Sequence, residues 1–513
     1  MRVNAPDVTS PATAANPGTA ANPGTAANPG TAANPGTAPI RGTGTHRRVH
    51  RGRIMHIAGS PTVSEADSAL VDIPDGALVI TAEGLIDFCG PFDELSALPG
   101  DVVVDHGDAF LLPGFVDAHV HFPQTYELNA YGGGQLLEWL NNCIFPAESR
   151  LADPVFARTI ARDFTRARIA AGTTAAMVFG SAFPLAQDEL FEATRRAGLR
   201  IVSGRGIQTQ GPDSAAPLMT SESDAIALTT AEIDRWHAAD TGNPDTARLL
   251  TAIVPRFTLS VTTQTLAALG ELYAQVRDRG VYVHTHLNEN NRPGTGEVDL
   301  VKQLFDVECY LDTYDGKFLP GSAVGGESLL GRRTVLAHCV HCTDAELARM
   351  AETGTSIAHC PTSQLFLGSG TMPWNRTVDA GVTIALGSDC GGGDEWLISK
   401  VAGDAYKVHI SEPGEASVAM HPAQMLFSGT LAGARALDAE SRFGNFDVGK
   451  EADFLVIDPQ QWPPLERMLR NGVRDDDPQR ARDQTLFALL MGMREPAIAE
   501  VYVGGDKVDA DAV

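Results

Sequence analysis

The chain holds 513 residues, 43% apolar and 20% charged, enough for one large α/β domain with a smaller companion around a sizeable core. That balance is the composition of a soluble globular protein. The formal net charge of −25 excludes a nucleic-acid backbone as the partner, since such binding is driven by clustered Lys and Arg.

Residues 13–36 repeat Thr-Ala-Ala-Asn-Pro-Gly four times. Without large apolar side chains these repeats cannot offset the entropy lost on ordering, so 1–45 is expected to be a disordered tail. A basic cluster follows at Arg41 and 46–53, read as part of a solvated first strand over 49–57. Short strand signals at 53–58, 77–81, 84–88 and 102–105 mark a small β-domain over 46–112. A matching pattern returns in 449–458 and 499–508. The two ends are therefore expected to pair as one β-sandwich, 46–112 with 439–513, around an insertion over 113–438.

That insertion alternates strand and helix, which argues for a parallel sheet. Strands are expected at 115–119, 173–179, 200–206, 250–257, 281–287, 334–339, 355–360 and 383–388. Amphipathic helices such as 154–171 and 265–279 separate them. Eight such units over roughly 300 residues fit a (β/α)8 barrel, an α/β fold whose active site lies at the C-terminal ends of the strands.

Polar residues fall at those ends. Strand one runs through Pro113-Gly-Phe-Val-Asp-Ala-His-Val-His121, and His119 and His121 share a face because alternate side chains on a strand do. Strand five, Val281-Tyr-Val-His-Thr-His286, carries two more histidines on one face. His286, nearer the C-terminal end, should reach a metal, while His284 is expected one layer deeper as a packed, hydrogen-bonded core residue. Strand six ends in His338 and strand eight in Asp389. Imidazoles and a carboxylate in this register suit zinc, or iron(II), and leave room for water. Glu289, on the loop after His286, can reach substrate without binding metal; otherwise it is a solvated loop residue. His341 is expected in a loop, and His359, at the end of strand seven, is a candidate for the pocket wall that is not counted as a ligand. Cys339-Val-His-Cys342 has redox or zinc spacing without the second pair that a structural site needs.

With these residues in hand, the chain resembles the amidohydrolase superfamily over about 49–508 and, within it, the guanine deaminase family. The broader likeness rests on the strand-one motif, on His286, His338 and Asp389, and on Val448-Gly-Lys-Glu-Ala-Asp453. The closer one rests on Gln124, Leu136-Leu-Glu-Trp-Leu140, Phe145-Pro-Ala-Glu148, Pro255-Arg-Phe257, His286-Leu-Asn-Glu-Asn290 and Ser356-Ile-Ala-His-Cys-Pro-Thr-Ser363. The asparagine-rich turn Leu287-Asn-Glu-Asn-Asn291, Gln364 and Gly391-Gly-Gly393 depart from the family pattern, and they bear on substrate-loop detail.

The resemblance implies one zinc per chain held by His119, His121, His286 and Asp389, with His338 contacting the attacking water. It implies substrate contacts from Gln124, Arg256, Phe257, Glu289 and Asp389, and a homodimer. The implied reaction is hydrolytic loss of the 2-amino group of guanine. Asp389 would take the proton of the water and Glu289 would protonate the ring nitrogen beside the attacked carbon. For Arg256 the alternative reading is a structural salt bridge.

Four alternatives bear weighing, of which a cytidine-type zinc deaminase would need a His-x-Glu and Pro-Cys-x-x-Cys pattern whose glutamate spacing is absent here. A binuclear cyclic-amide hydrolase would need a bridging lysine after strand four, where the chain reads Val254-Pro-Arg-Phe-Thr258. A mononuclear enzyme acting on another amino- or chloro-heterocycle, such as 8-oxoguanine, shares nearly every ligand. A scaffold with the fold but no catalysis is opposed by the intact ligand set and Glu289. The seven scattered cysteines form no disulfide framework and suit a reducing cytoplasm. No signal peptide or membrane span is expected.

Overall fold

In the computed structural model, residues 46–317, 326–472 and 476–513 are described; the repeat tail expected over 1–45 lies outside them. The first strands are β1 (Arg48–Ile57), β2 (Leu70–Ile80), β3 (Ile86–Pro91) and β4 (Val102–Pro113). β1 pairs antiparallel with β2 and parallel with β4. β2 begins well before its expected start, because Asp72, Pro74 and Asp75 read locally as a turn. Cross-strand pairs hold this polar half: Arg53 donates to Asp72 at 2.7 Å and Arg51 to Asp75 at 2.7 Å. The register of β1 against β2 shifts between Gly52 and Ile54, as at a β-bulge.

One residue after β4 the chain enters a parallel barrel. Its strands are β5 (Phe115–His121), β6 (Thr173–Phe179), β7 (Arg200–Gly204), the short β8 (Gly206–Ile207), β9 (Leu249–Pro255), β10 (Tyr282–Leu287), β11 (Thr334–His338), β12 (Ser356–His359) and β13 (Ile384–Leu386). They neighbour one another in chain order, with β7 and β8 sharing one position interrupted at Arg205. Closure from β13 back to β5 uses the Asp389 amide, which donates to the His119 carbonyl at 2.8 Å. The fold is therefore a (β/α)8 barrel.

The helices follow from local signals. Pro154–Ala170 opens with proline at its first position and Asp153 accepting from the Val155 amide. Its buried residues include Ala157, Ile160, Ala161 and Phe164, one stripe at helical spacing. The helix expected at 265–279 spans Thr263–Val276 instead, because the Thr262 hydroxyl caps it earlier and the chain tightens into a 3-10 turn over Arg277–Arg279.

After the barrel come β14 (Phe454–Ile457), β15 (Ile498–Val503) and β16 (Asp506–Lys507). β14 pairs antiparallel with Phe110–Pro113 of β4, so both ends of the described chain share one mixed sheet in the order β16-β15-β14-β4-β1-β2-β3. Two helices that the sequence reading did not pick out, Pro463–Gly472 and Pro478–Gly492, separate β14 from β15. Among the described residues no helix is long and apolar enough to cross a membrane.

Candidate metal centre

β5, β10 and the turn after β13 aim side chains at one point. The Nε2 atom of His121 lies 3.2 Å from that of His119 and 3.1 Å from that of His286. Asp389 Oδ1 lies 3.2 Å from His119 Nε2 and 3.3 Å from His121 Nε2. All four side chains are buried.

The far sides of the rings decide which nitrogens carry protons. The Val335 carbonyl can only accept, so His284 Nδ1 donates to it at 2.9 Å. His284 Nε2 is then an acceptor and takes the Nδ1–H of His119 at 2.7 Å. The Arg256 carbonyl likewise takes the Nδ1–H of His286 at 2.6 Å. His119 and His286 therefore both present bare Nε2 lone pairs to the shared point. Burial holds His119, His121 and His286 well below the usual imidazole range, so the rings are neutral. One N–H on His121 cannot satisfy two bare nitrogens and a carboxylate. A cation does, and three neutral imidazoles with one carboxylate are a donor set that fits a divalent metal.

Backbone geometry helps to aim these groups. His338 and Asp389 adopt positive φ, 75° and 46°, a conformation that is costly outside glycine and concentrates at functional turns. Asp117, two residues before His119 and fully buried, ties the ligand strands together. It pairs with Arg168 at 2.6 Å and accepts from the Ser388 amide at 2.9 Å and hydroxyl at 2.6 Å.

Beside the metal point is a cavity lined by Gln124, Arg256, Phe257, Glu289, His338 and Asp389, with apolar walls from Leu136, Trp139 and Leu140. Glu289 is 3% exposed, not a solvated loop residue. Its loop is held by Glu297, which accepts the Glu289 amide at 3.1 Å and the Tyr310 hydroxyl at 2.6 Å. Burial first, then the charges of Glu297 and Asp389, pushes the Glu289 carboxyl well above its ordinary range. His338 Nε2 stands 3.3 Å from Glu289 Oε2 and 3.9 Å from Asp389 Oδ2, between the two carboxylates. Arg256 lines the cavity and pairs with Glu148 at 2.5 Å, so the salt-bridge reading and the pocket reading hold together.

Other candidates lie apart. His359 is buried against His409, 3.1 Å between Nε2 atoms, and is absent from the cavity wall. His341 bonds the Ser369 carbonyl. Cys339 and Cys342 are buried free thiols. Sequence reasoning missed the orienting contacts of His284, Asp117, Glu148 and Glu297. For Asp117 strand alternation misleads: the register with β6 shifts between Asp117 and Val120, so Asp117 stands opposite Ala176 and reaches Arg168 of the outer helix.

Residues 110–508 match the amidohydrolase family. The chain is 36% identical over 471 residues to a probable guanine deaminase of Deinococcus radiodurans, covering 90% of this chain and 99% of that protein. It is 34% identical over 446 residues to the guanine deaminase of Escherichia coli, covering 86% and 92%. Among solved structures, guanine deaminase from Bradyrhizobium japonicum superposes with a TM-score of 0.78 at 30% identity, covering 90% of this chain and 99% of that one.

Proposed function

The chain belongs to the amidohydrolase family, and we propose that it hydrolyses guanine to xanthine and ammonia. The observation that carries this reading is Arg256 lining the same small cavity as the metal point. Guanine has a carbonyl at position 6, and an arginine fork is a donor that cannot lose its proton. The likeness to guanine deaminases over nearly the full length supports the same substrate.

The metal is proposed to be one zinc per chain, with iron(II) as the alternative, held by His119, His121, His286 and Asp389. Such a metal makes a water nucleophilic near neutral pH. Asp389 turns Oδ1 toward the other ligands, which leaves Oδ2 to accept a proton from the attacking water. His338 stands between Asp389 and Glu289 and orients that water. Glu289, held in its protonated form by burial and like charge, gives its proton to the ring nitrogen beside the attacked carbon. It takes up the proton of the new hydroxyl as the carbonyl forms and passes it to the departing amine; the proton that Asp389 drew from the water then restores Glu289. Phe257 offers an aromatic face to the ring. All seven cysteines are free, which supports a reducing cytoplasm as the compartment. A homodimer is proposed on the family likeness, and solution mass measurement checks it.

The test is ammonia release from guanine, 8-oxoguanine and adenine. Adenine would point an amine at Arg256, a mismatch that costs on the order of 10⁴ in discrimination. We expect guanine to be deaminated and adenine refused; equal rates on both would overturn the reading. Arg256→Ala should lower kcat/KM for guanine at least about 100-fold. It should keep its metal, because the backbone carbonyl of Arg256, not its side chain, holds His286.

A further inference from the structure

Glu148 belongs to a helical turn, Phe145–Ser149, that continues from the π-helical turn Leu140–Ile144. This stretch has two faces toward the pocket. Leu136, Trp139 and Leu140 supply its apolar wall, while Glu148 reaches its polar residues from behind. The Glu148 side chain is buried, and both of its oxygens are used. Oε2 accepts from Arg256 Nη1 at 2.5 Å, and Oε1 accepts from Gln124 Nε2 at 2.9 Å. Gln124 follows β5 and Arg256 follows β9, so one carboxylate grips two pocket residues that come from distant strands.

A carboxylate only accepts, and this decides what each partner has left to offer. Gln124 turns its amino group toward Glu148 and gives it one of its two N–H donors, so its carbonyl oxygen is the end that faces away from Glu148. That oxygen lies against Gly391, where any Cβ would collide with it; glycine at this position leaves the amide room in its present orientation. Arg256 spends one terminal nitrogen and keeps the rest of its fork beside the cavity. A Gln side chain alone can face a ligand either way round, since its two ends are nearly isosteric. Glu148 removes that ambiguity.

We infer that Glu148 is the positioning residue that sets the hydrogen-bond polarity of the pocket: acceptor at Gln124, donors at Arg256. The inference rests on the guanine reading above and deepens it. The pocket so polarised selects a ring that presents a carbonyl oxygen to Arg256 and an N–H to Gln124, as a lactam purine does. A ring with these groups reversed leaves buried polar atoms unpaired on both sides.

Glu148→Gln tests this sharply. Arg256 can only donate, so the new amide must turn its oxygen to Arg256 and its amino group to Gln124. Gln124 must then rotate to accept, and it presents an amino group to the ligand where it had presented oxygen. With full-length, metal-loaded protein we expect the guanine KM to rise about 100-fold, with a smaller change in kcat and wild-type metal content. The swap Glu148→Gln with Gln124→Glu restores an acceptor facing the ligand and the same net charge, and should recover at least about tenfold of the loss. An unchanged KM in Glu148→Gln, or a folded swap variant no better than the single one, overturns the inference. If Glu148→Gln does not fold, the swap variant decides alone: near-native guanine KM supports the assignment and a raised KM overturns it. Wild type in the same assay separates the two claims. Wild type inert toward guanine breaks the functional reading, whereas active wild type beside an unaffected Glu148→Gln breaks only this one.

Discussion

The two ends of the barrel hold polar groups in opposite ways. At the N-terminal end, Arg200 opens β7 and pairs with Asp453 at 2.6 Å and with Glu451 at 2.6 Å. Arg442 joins Glu451 at 2.9 Å, and the Gly504 amide donates to Asp453 at 2.7 Å. Here each buried charge meets its opposite within the chain, and the pairs bind the barrel to the mixed sheet. At the C-terminal end, bare imidazole nitrogens and a carboxylate face one another, and no cation among the described residues stands between them to satisfy them. Groups that the protein satisfies by itself serve its stability. Groups that it aligns and leaves uncompensated serve a ligand.

Substitutions at the two ends should therefore fail differently. The largest effect is expected for His286→Ala, which removes one of the aligned donors. Ammonia release from guanine should fall to background and bound metal should drop well below one equivalent, while the thermal midpoint without metal moves little by comparison. A variant that kept full metal and full turnover would erase the contrast. Asp453→Ala should do the reverse. Arg200 would be left buried without its main partner, a loss of about 3–5 kcal/mol in unfolding free energy, with turnover per folded molecule near wild type. Denaturant unfolding beside a rate measurement reads both.

His284→Ala sharpens the comparison, because this residue is buried and satisfied like the lower end yet serves the upper one. Losing it frees the His119 ring to hold the wrong tautomer. Chelator competition should show metal affinity lower by about 10–100-fold, and His284→Gln, which can still accept from Nδ1–H, should recover part of it. Unchanged affinity would reduce His284 to packing, as the sequence alone suggests.

The smallest effect concerns acid stability. Burial raises the Glu451 carboxyl, but Arg200 and Arg442 outweigh it and bring the group down to about 2, from an ordinary 4.5. A depressed carboxyl stabilises the fold above its unfolded value, and that stability is lost as pH falls from about 4.5 toward 2. Glu451→Gln should lower stability at neutral pH and flatten the acid limb of an unfolding-versus-pH curve across that window. An unchanged limb would show that these pairs carry little of the barrel–sheet attachment.

Read alone, the sequence determines the barrel and the strand ends at which its histidines and Asp389 cluster. Strand and helix periods are local properties of the chain, so the barrel strands are legible even where β2 in the outer sheet is half hidden by Asp72, Pro74 and Asp75. The spacing of His119 and His121 is local too, and a strand turns it into a shared face. Only the tertiary structure decides how those residues act. The proton on His119 depends on His284, 165 residues away, and through it on the Val335 carbonyl of a third strand. The direction of the Gln124 amide depends on Glu148, and the ion pair of Arg256 with Glu148 spans 108 residues. Tautomers and amide orientations are chosen by the nearest hydrogen-bond partner in space, and in this barrel those partners come from strands and turns that the chain order keeps far apart.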